Sequence, residues 1–302
     1  MYRTLLIHIA TAATLTAGPY PGAAGTAGSD AISKDDSRII RWASGHIDYV
    51  IGGDVSTTWR TPVKAYGPAT TNTGDIVCLG DDGRITLYFP HPVFDGPGPD
   101  FAVFENSFSD TFLELGFVEV SSDGENFFRF ANASLTTSPV GGFGSVDPTN
   151  LSGLAGKYRG GFGTPFDLDD LPSNPLLDKQ RVCFIRIVDI KGNGTAKDSS
   201  NRSIYDPHPT TGSAGFDLDA IGVIHENNGD FAITQGGFVA ESFKLTWQSN
   251  PGNTYRIESG TKLDDWTQVQ TLAGSENRGL TELSLPFVSD PKRFWRVVRI
   301  ED

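Results

Sequence analysis

The sequence is poor in several residue types and patterns, and each shortage restricts the class of protein that the chain can form. One methionine stands beside 35 glycines and 18 prolines among 302 residues. This composition is typical of many short strands joined by turns rather than of helices. Beyond the N-terminal segment, no stretch reaches the roughly 18 consecutive apolar residues that a membrane-spanning helix needs. The sequence therefore predicts no membrane span.

Basic residues are also in short supply. The chain has 24 lysines and arginines against 37 aspartates and glutamates, a formal net charge of -13. Such a chain repels the phosphates of nucleic acids and the surfaces of anionic lipids, so neither is expected as a partner. Carboxylate oxygens are the ligands that Ca²⁺ prefers, although an acidic excess also serves solubility alone.

Catalytic motifs are missing from the chain. It contains neither the H-E-x-x-H pattern of zinc proteases nor the G-x-S-x-G pattern of serine hydrolases. Outside the N-terminal segment, the histidines are scattered: His46, His91, His208 and His225. The sequence therefore predicts a protein that is not an enzyme.

The two cysteines, Cys78 and Cys183, both lie in apolar runs that read as strands. Two cysteines so far apart do not build a four-cysteine zinc site. In an exported protein they are candidates for a disulfide, and two buried free thiols are the alternative.

The N-terminus is typical of export. Met1–Arg3 supplies one positive charge, Thr4–Ala17 is uncharged and largely apolar, and small residues follow as far as Gly28. This order predicts a secretory signal peptide over residues 1–28, with cleavage between Ala24 and Ser29; a disordered tail is the alternative. The expected location is secreted, extracellular or on the cell surface.

The rest of the chain predicts an all-β protein with two domains. Residues 84–89 alternate polar and apolar side chains, and residues 182–190 form a strong central strand. Asn227–Asp230 is the best candidate for a linker. We therefore assign 29–227 to a β-sandwich and 228–302 to a small immunoglobulin-like or fibronectin III-like sandwich of five short strands.

Acidic and amide side chains cluster at predicted strand ends in three places, residues 95–106, 189–201 and 206–219. In the run FDLDA, Asp217 and Asp219 share one face of a strand, where two like charges repel unless a cation or water separates them. Solvated loop acids are the alternative interpretation. Oxygen donors between glycine- and proline-rich loops suit a structural Ca²⁺ site, and its candidate ligands are Asp100, Glu105, Asn106, Asp217 and Asp219.

Aromatic side chains in or near loops are the second candidate for function. On a β-sandwich, exposed rings often form a platform for sugars or other flat ligands, although most aromatic residues are simply core. The candidates for such a platform are Trp59, Tyr158, Phe162, Tyr205 and His208.

Across residues 50–225 the sequence resembles a family of bacterial exported proteins, many of which carry a C-terminal PEP-CTERM sorting tail. The motifs that carry the resemblance include DGPGPDFAVFEN, LGFVEVSSDGENFFRF and GFDLDAIGVI. The resemblance implies an exported β-sandwich at the cell surface. The chain ends without the sorting tail, so anchoring by that route is not expected.

Two shorter resemblances refine the fold. The run FDLDAIGVI is similar to the last strand of galactose-binding-like jelly rolls, including carbohydrate-binding modules. That likeness implies a jelly-roll-like sandwich with a structural calcium near Asp217 or Asp219, opposed by Glu105 or Asp100. The stretch FKLTWQSNPGNTYRIESG resembles a small sandwich module found at the ends of large exported bacterial proteins.

Three functions remain open at this point. The first is a non-catalytic binding or adhesion protein with structural calcium that contacts an extracellular glycan or surface matrix. The second is a structural spacer of the cell surface. The third is a polysaccharide-acting enzyme, which needs a cleft with two carboxylates and an aromatic floor.

Overall fold

The computed structural model describes residues 17–227, 231–239, 242–275, 279–286 and 293–300. The described chain is all-β and consists of antiparallel sheets, which confirms the predicted fold class. Most of the predicted linker, residues 228–230, lies outside the described residues. Within the ranges given, no helix has the length and apolar character to cross a membrane.

Fifteen short strands build the first part of the fold. In chain order they are β1 (Ile32–Ser33), β2 (Arg41–Trp42), β3 (Gly45–Val50), β4 (Val77–Cys78), β5 (Arg84–Val93), β6 (Phe101–Glu105), β7 (Gly116–Ser121), β8 (Phe128–Arg129), β9 (Ala133–Ser134), β10 (Leu151–Ser152), β11 (Phe162–Phe166), β12 (Val182–Asp189), β13 (Asn193–Lys197), β14 (Ser203–Tyr205) and β15 (Asp217–Val223). Four single turns of 3₁₀ helix join them, at Thr57–Trp59, Pro62–Ala65, Pro148–Asn150 and Leu168–Asp170.

Two sheets form the sandwich. One has the order β1-β11-β6-β15-β2, with β4 also paired to β15, and the other has the order β3-β5-β12-β7-β8. Apolar side chains at every second position of the central strands meet between the sheets, because successive side chains of a strand point to opposite faces. The resulting core includes Ile85, Leu87 and Phe89 from one sheet, and Phe101, Val103, Leu218 and Ile221 from the other.

The last part of the chain forms two three-stranded sheets. Their strands are β16 (Ile233–Val239), β17 (Ser242–Gln248), β18 (Thr254–Lys262), β19 (Asp265–Ala273), β20 (Leu280–Pro286) and β21 (Phe294–Ile300). The orders are β16-β17-β20 and β19-β18-β21. Leu245, Trp247, Tyr255 and Ile257 form the buried core of these C-terminal sheets.

The residues just before the first strand pack on the sandwich. The Gly18 N–H donates to Thr149 Oγ1 at 2.6 Å, and the Tyr20 N–H donates to the Thr149 carbonyl at 3.1 Å. Arg159 donates to the carbonyl of Ala24 at 2.9 Å, and Ala24 is buried. Residues 18–24 therefore contact the folded domain, although the sequence assigns them to the predicted signal peptide.

Both cysteines are free and buried. Cys78 lies in β4 of one sheet and Cys183 in β12 of the other, so the structure selects the second of the two alternatives that the sequence left open. Burial raises the pKa of the Cys183 thiol to about 11. Cys183 serves as a small, largely apolar residue of the core, while the thiol of Cys78 also lies against the Asp217 carboxylate.

Candidate functional site

A cavity of about 150 Å³ opens where β6 ends and β15 begins. Three acidic side chains face it, and we refer to it as the acidic pocket. Its walls come from the loop that follows β6 and from the loop that precedes β15. The lining residues are Glu105, Asn106, Ser107, Phe108, Phe112, Glu114, Phe143, Pro209, Thr210, Thr211, Ser213 and Asp217.

Strand pairing brings two of the acids together. Glu105 is the last residue of β6, Asp217 is the first of β15, and these strands run antiparallel with Leu218 opposite Glu105. The backbone N–H of Asn106 donates to the carbonyl of Asp217 at 3.1 Å, which extends the pairing beyond the strand end. The end of one strand and the start of its neighbour therefore place both carboxylates at the same edge of the sheet.

The third acid, Glu114, comes from the approach to β7 in the other sheet. The next residue, Leu115, donates its N–H to the buried carboxylate of Asp206 at 2.9 Å. On the other side, Gly156 crosses so close that an added Cβ would lie 1.9 Å from the Glu114 carbonyl, and its φ is +82°. Only glycine fits this position, because it has no Cβ and adopts positive φ without strain.

Few donors approach the carboxylates of the pocket: the side chain of Thr210 lies against Glu114, and the Cys78 thiol lies against Asp217. Glu114 is 5 % exposed and Asp217 is 9 % exposed, yet Glu114 Oε1 and Asp217 Oδ1 have no hydrogen-bond partner. Glu105 is better satisfied, because Ser107 donates its N–H to Glu105 Oε2 at 2.9 Å. Buried polar atoms of native proteins nearly always have a partner, so two orphaned oxygens at one cavity indicate a place for a ligand.

Burial raises the pKa values of all three acids, and repulsion adds to the rise for Glu105 and Glu114. Loss of water is the largest cause for each, and it raises the pKa of Glu105, Glu114 and Asp217 above the ordinary values. The charge of Asp217 adds to the rise for Glu105 and Glu114. The pocket therefore favours a bound proton or another positive charge.

Three phenylalanines form a row beside the pocket, which we name the phenylalanine shelf. Phe108 is 70 % exposed, Phe143 is 93 % exposed, and Phe112 lies half-buried between them. The rings of Phe108 and Phe112 stack with centroids 4.5 Å apart, and those of Phe112 and Phe143 with centroids 6.4 Å apart. Exposed apolar rings arranged together, rather than singly, mark a binding surface.

Local hydrogen bonds hold the shelf in place. Ser109 Oγ accepts the N–H of Phe112 at 2.9 Å, and Ser107 Oγ donates to the carbonyl of Ser109 at 2.8 Å. On the other side of the pocket, an added Cβ at Gly142 would lie 2.2 Å from the carbonyl of Pro209. This close approach keeps the neighbouring Phe143 next to the segment that lines the pocket.

Of the five predicted calcium ligands, Glu105, Asn106 and Asp217 line the acidic pocket, while Asp100 and Asp219 do not. Asp100 and Glu105 lie at opposite ends of the extended strand β6, about 16 Å apart at 3.3 Å per residue. One ion therefore does not bind both, and the two residues belong to separate sites.

Asp100 is the centre of a second acidic cluster. Its ligand oxygen and those of Asp95 and Asp167 all lie within 4.8 Å of one another, and among the described residues no other set of three side chains meets this condition. The Asp100 carboxylate already accepts the N–H groups of Gly96 at 2.8 Å and Leu168 at 2.7 Å, and contacts His225 Nδ1 at 2.8 Å. Asp100 thus holds two loops together with its own hydrogen bonds.

Asp219 stabilises a loop rather than lining the acidic pocket. Its carboxylate accepts the N–H of Thr70 at 2.9 Å. Burial raises the pKa of Asp219 to about 7. The two predicted calcium ligands Asp217 and Asp219 therefore have different surroundings. Asp217 faces the cavity, and Asp219 anchors the chain before β4.

The predicted aromatic platform does not assemble. Tyr158 is 1 % exposed and its hydroxyl donates to Asp30, so its ring offers no surface to a ligand. Trp59 packs on a small buried cluster, and the guanidinium of Arg159 covers Phe162 at 4.6 Å from the ring centroid. These three rings are structural.

The other two candidates, Tyr205 and His208, remain partly exposed, but their rings do not stack. Tyr205 lines a groove of about 400 Å³ beside β9, and His208 Nδ1 lies 3.8 Å from Asp81 Oδ2. Among the residues that the structure describes, no ring of the five predicted ones stacks on another. The exposed row is the phenylalanine shelf instead.

Glu114, Phe108, Phe112 and Phe143 are not among the site residues that the sequence predicts. A usable signal lies in the run ENSFSDTFLELGF, where phenylalanines recur among serines and aspartates between two predicted strands. Large apolar side chains in a polar loop are candidates for an exposed binding surface. The acid in this run, Glu114, is bounded by two leucines and reads as an ordinary strand residue.

Comparisons with known proteins add no family to this description. No protein-family model matches the chain, and no curated protein is similar to it at a significant level. The class of protein that fold and site define is an all-β sandwich with an acidic pocket edged by exposed aromatic rings.

Proposed function

We propose that this chain is a secreted or cell-surface, non-catalytic binding protein that contacts an extracellular glycan or matrix ligand at the acidic pocket. The single observation that carries the proposal is the pair of buried, unpartnered oxygens, Glu114 Oε1 and Asp217 Oδ1, in a cavity beside the phenylalanine shelf. Leaving a buried acceptor unsatisfied costs about 1–3 kcal/mol. A bound ligand that donates to these oxygens recovers that free energy.

The phenylalanine shelf supplies the other half of the site. Sugar rings have a flat C–H face that packs on aromatic rings, while their hydroxyls donate hydrogen bonds to carboxylates. The shelf and the pocket are adjacent, so one ligand contacts both. A spacer has no need for either feature.

Replacing Phe143 with serine is expected to weaken glycan binding about tenfold, because the ring gives up its stacking surface. The measurement is a glycan array followed by titration calorimetry on the strongest hit. Phe238→Ser, which removes a 65 % exposed phenylalanine from β16, is the matched control and should leave binding unchanged. Equal binding by both variants and the unmodified chain, or no hit on glycans or matrix polymers, would move the spacer function to first place.

An enzyme that hydrolyses polysaccharides is the second candidate, and the same pocket favours it. Glu114 has the raised pKa that the general acid of a glycoside hydrolase needs, and Asp217 is a second carboxyl group at the same pocket, beside an aromatic edge. Release of reducing ends from the bound glycan distinguishes the two functions. We expect no release over many hours at any pH between 4 and 8.

The structural calcium that the sequence predicts belongs, in our proposal, to the cluster of Asp95, Asp100 and Asp167. These are the three side chains whose oxygens converge closely enough for one ion. Asp95 and Asp167 are only half-buried, so water can complete the six to eight ligands that Ca²⁺ takes. An ion here joins the loop after β5 to the turn that follows β11.

Millimolar calcium is expected to raise the melting temperature relative to EDTA, since an ion that binds only the folded state stabilises it by about 2.7 kcal/mol at 100 times its Kd. Asp167→Asn should abolish the calcium-dependent part, and the exposed Asp264→Asn should keep it. Asp167 is the better target than Asp100, because its carboxylate accepts one local N–H, that of Asp169 at 2.9 Å, whereas the Asp100 carboxylate accepts N–H groups from two loops. Equal melting temperatures in calcium and EDTA would refute the ion site and leave the pocket untouched.

A further inference from the structure

Three carboxyl groups face the acidic pocket, and none of the described residues that line it is a lysine, arginine or histidine. A neutral ligand hydroxyl donates a hydrogen bond to such a pocket but brings no positive charge to offset the burial and repulsion that raise the pKa values of Glu105 and Glu114. The ligand that supplies both the missing positive charge and the missing hydrogen-bond donors carries a cationic group with several donors.

A single metal ion does not match this arrangement well. Glu105, Glu114 and Asp217 are not among the side chains whose ligand oxygens all lie within 4.8 Å of one another. A primary ammonium group does match, because it offers three N–H donors that point in different directions and can reach oxygens spread around a cavity. Glu114 Oε1 and Asp217 Oδ1 are the two acceptor oxygens without a hydrogen-bond partner, and the N–H groups of an ammonium can donate to them.

The phenylalanine shelf adds a second preference for the same chemistry. Aromatic faces attract cations and also pack on the flat face of a sugar ring. The pocket itself, at 150 Å³, has room for about five water-sized groups at 30 Å³ each. A charged substituent therefore fits inside, while the body of the ligand lies on the rings of Phe108, Phe112 and Phe143.

We propose that the acidic pocket and the phenylalanine shelf together recognise a glycan with free amino groups, the ammonium of an amino sugar contacting Glu114 and Asp217 while its ring packs on the shelf. This inference rests on the proposed function and names the ligand class of that site. N-acetylation of the same sugar removes the charge and two of the three donors, so the acetylated form is excluded. The site thus distinguishes deacetylated from acetylated polysaccharide.

Three β-1,4-linked tetrasaccharides test this directly, because they share one backbone and differ at a single substituent. Glucosamine tetramer carries an ammonium, N-acetylglucosamine tetramer an amide, and glucose tetramer a hydroxyl. By titration calorimetry in 150 mM salt at pH 6, we expect the glucosamine tetramer to bind roughly 10- to 100-fold more tightly than the other two, the range for a charge-assisted hydrogen bond.

Substitutions in the pocket separate recognition from general attraction. Glu114→Gln and Asp217→Asn should bring the three affinities together, whereas Phe143→Ser should weaken binding of all three by a similar factor. Glu282→Gln, a half-exposed residue of the C-terminal sheets, is the matched control. The chain carries a charge of -13, so loose attraction of a cationic sugar would persist in Glu114→Gln and Asp217→Asn, and that result would overturn the inference.

Each remaining outcome has a definite meaning. Equal affinity for the three tetramers refutes the preference for free amines but leaves the proposed glycan-binding function intact. No binding of any tetramer, together with no hit on the glycan array, refutes both. Tight binding of tetralysine, lost in Glu114→Gln and unmatched by any tetrasaccharide, would show that the partner is a cationic polypeptide.

Discussion

Replacing Glu114 with glutamine is expected to raise the melting temperature at pH 8 by roughly 4 to 8 °C and at the same time to remove the preference for the glucosamine tetramer over the other two tetramers. Glutamine keeps the shape of the side chain and needs no proton to become neutral. Removing one unsatisfied buried charge is worth about 2 kcal/mol, and each kcal/mol shifts the melting temperature by about 2–4 °C in a domain of this size. Residues that serve binding commonly lower the stability of the folded protein in this way.

The stabilisation by Glu114→Gln depends on pH, and the direction of this dependence follows from the raised pKa of Glu114. Burial and the charges of Asp217, Glu105 and Asp206 raise the pKa of Glu114 in the folded chain above its value in the unfolded chain. The folded state therefore binds more protons, and its stability falls as pH rises above the unfolded value of about 4.3. The advantage of Glu114→Gln should thus be small at pH 4 and grow toward pH 8.

Scanning calorimetry at pH 4, 6 and 8 measures this difference. Asp217→Asn should behave like Glu114→Gln, because its Oδ1 is also unpartnered. Glu282→Gln changes the same chemical group at a half-exposed position and should shift the melting temperature by less than about 2 °C. A lower melting temperature for Glu114→Gln at pH 8 would show that the Glu114 carboxylate stabilises the fold. That result would contradict its proposed role as an unsatisfied acceptor for a ligand.

Replacing Arg181 with alanine is expected to uncouple the C-terminal sheets from the sandwich. Its Nη2 donates to the carbonyl of Ser249 at 3.0 Å, to Asn250 Oδ1 at 3.1 Å and to the carbonyl of Gly279 at 3.1 Å. Hydrogen bonds from a charged group contribute about 1.5–3 kcal/mol. We expect the variant to lose about 2–3 kcal/mol of stability in the C-terminal sheets and to unfold in two transitions.

Tryptophan fluorescence reports mainly on the C-terminal sheets, because Trp247, Trp266 and Trp295, three of the five tryptophans, lie there. In Arg181→Ala, the unfolding transition seen by tryptophan fluorescence should move to a lower temperature than the unfolding transition of the sandwich, which is followed by far-ultraviolet circular dichroism. Arg38→Ala is the control, since Arg38 pairs only with Asp36 at the surface and should change stability by less than about 0.5 kcal/mol. Coincident, unchanged transitions in Arg181→Ala would contradict the coupling.

Sequence patterns predict much of the sandwich and little of its site. Residues 84–89 and 182–190 were expected to be strands, and they form β5 and β12, which pair at the centre of one sheet. The sequence patterns predict no strand within residues 131–175, yet the structure places β9, β10 and β11 there. These strands are only two to five residues long, so their period is too brief to appear in the sequence.

The same contrast applies to the candidate ligands. Asp217 stood out because its alternation with Asp219 is local, and a strand of known period fixes which face each side chain takes. Glu114 did not stand out, because its neighbours in the pocket are 9 and 103 positions away, at Glu105 and Asp217. Antiparallel pairing of β6 with β15 and the glycine at 156 create that proximity.

The sequence by itself determined that this protein is all-β, acidic, and equipped with carboxylates at strand ends, because composition and local period depend only on neighbouring residues. Only the tertiary structure decided which carboxylates share a cavity, which of them already have hydrogen bonds, and which aromatic rings face solvent. Burial and donor supply are properties of the assembled surface, set by contacts between residues far apart in the chain. Tyr158 and Phe143 look alike as loop aromatics in the sequence, yet one is core and the other is the most exposed ring of the shelf.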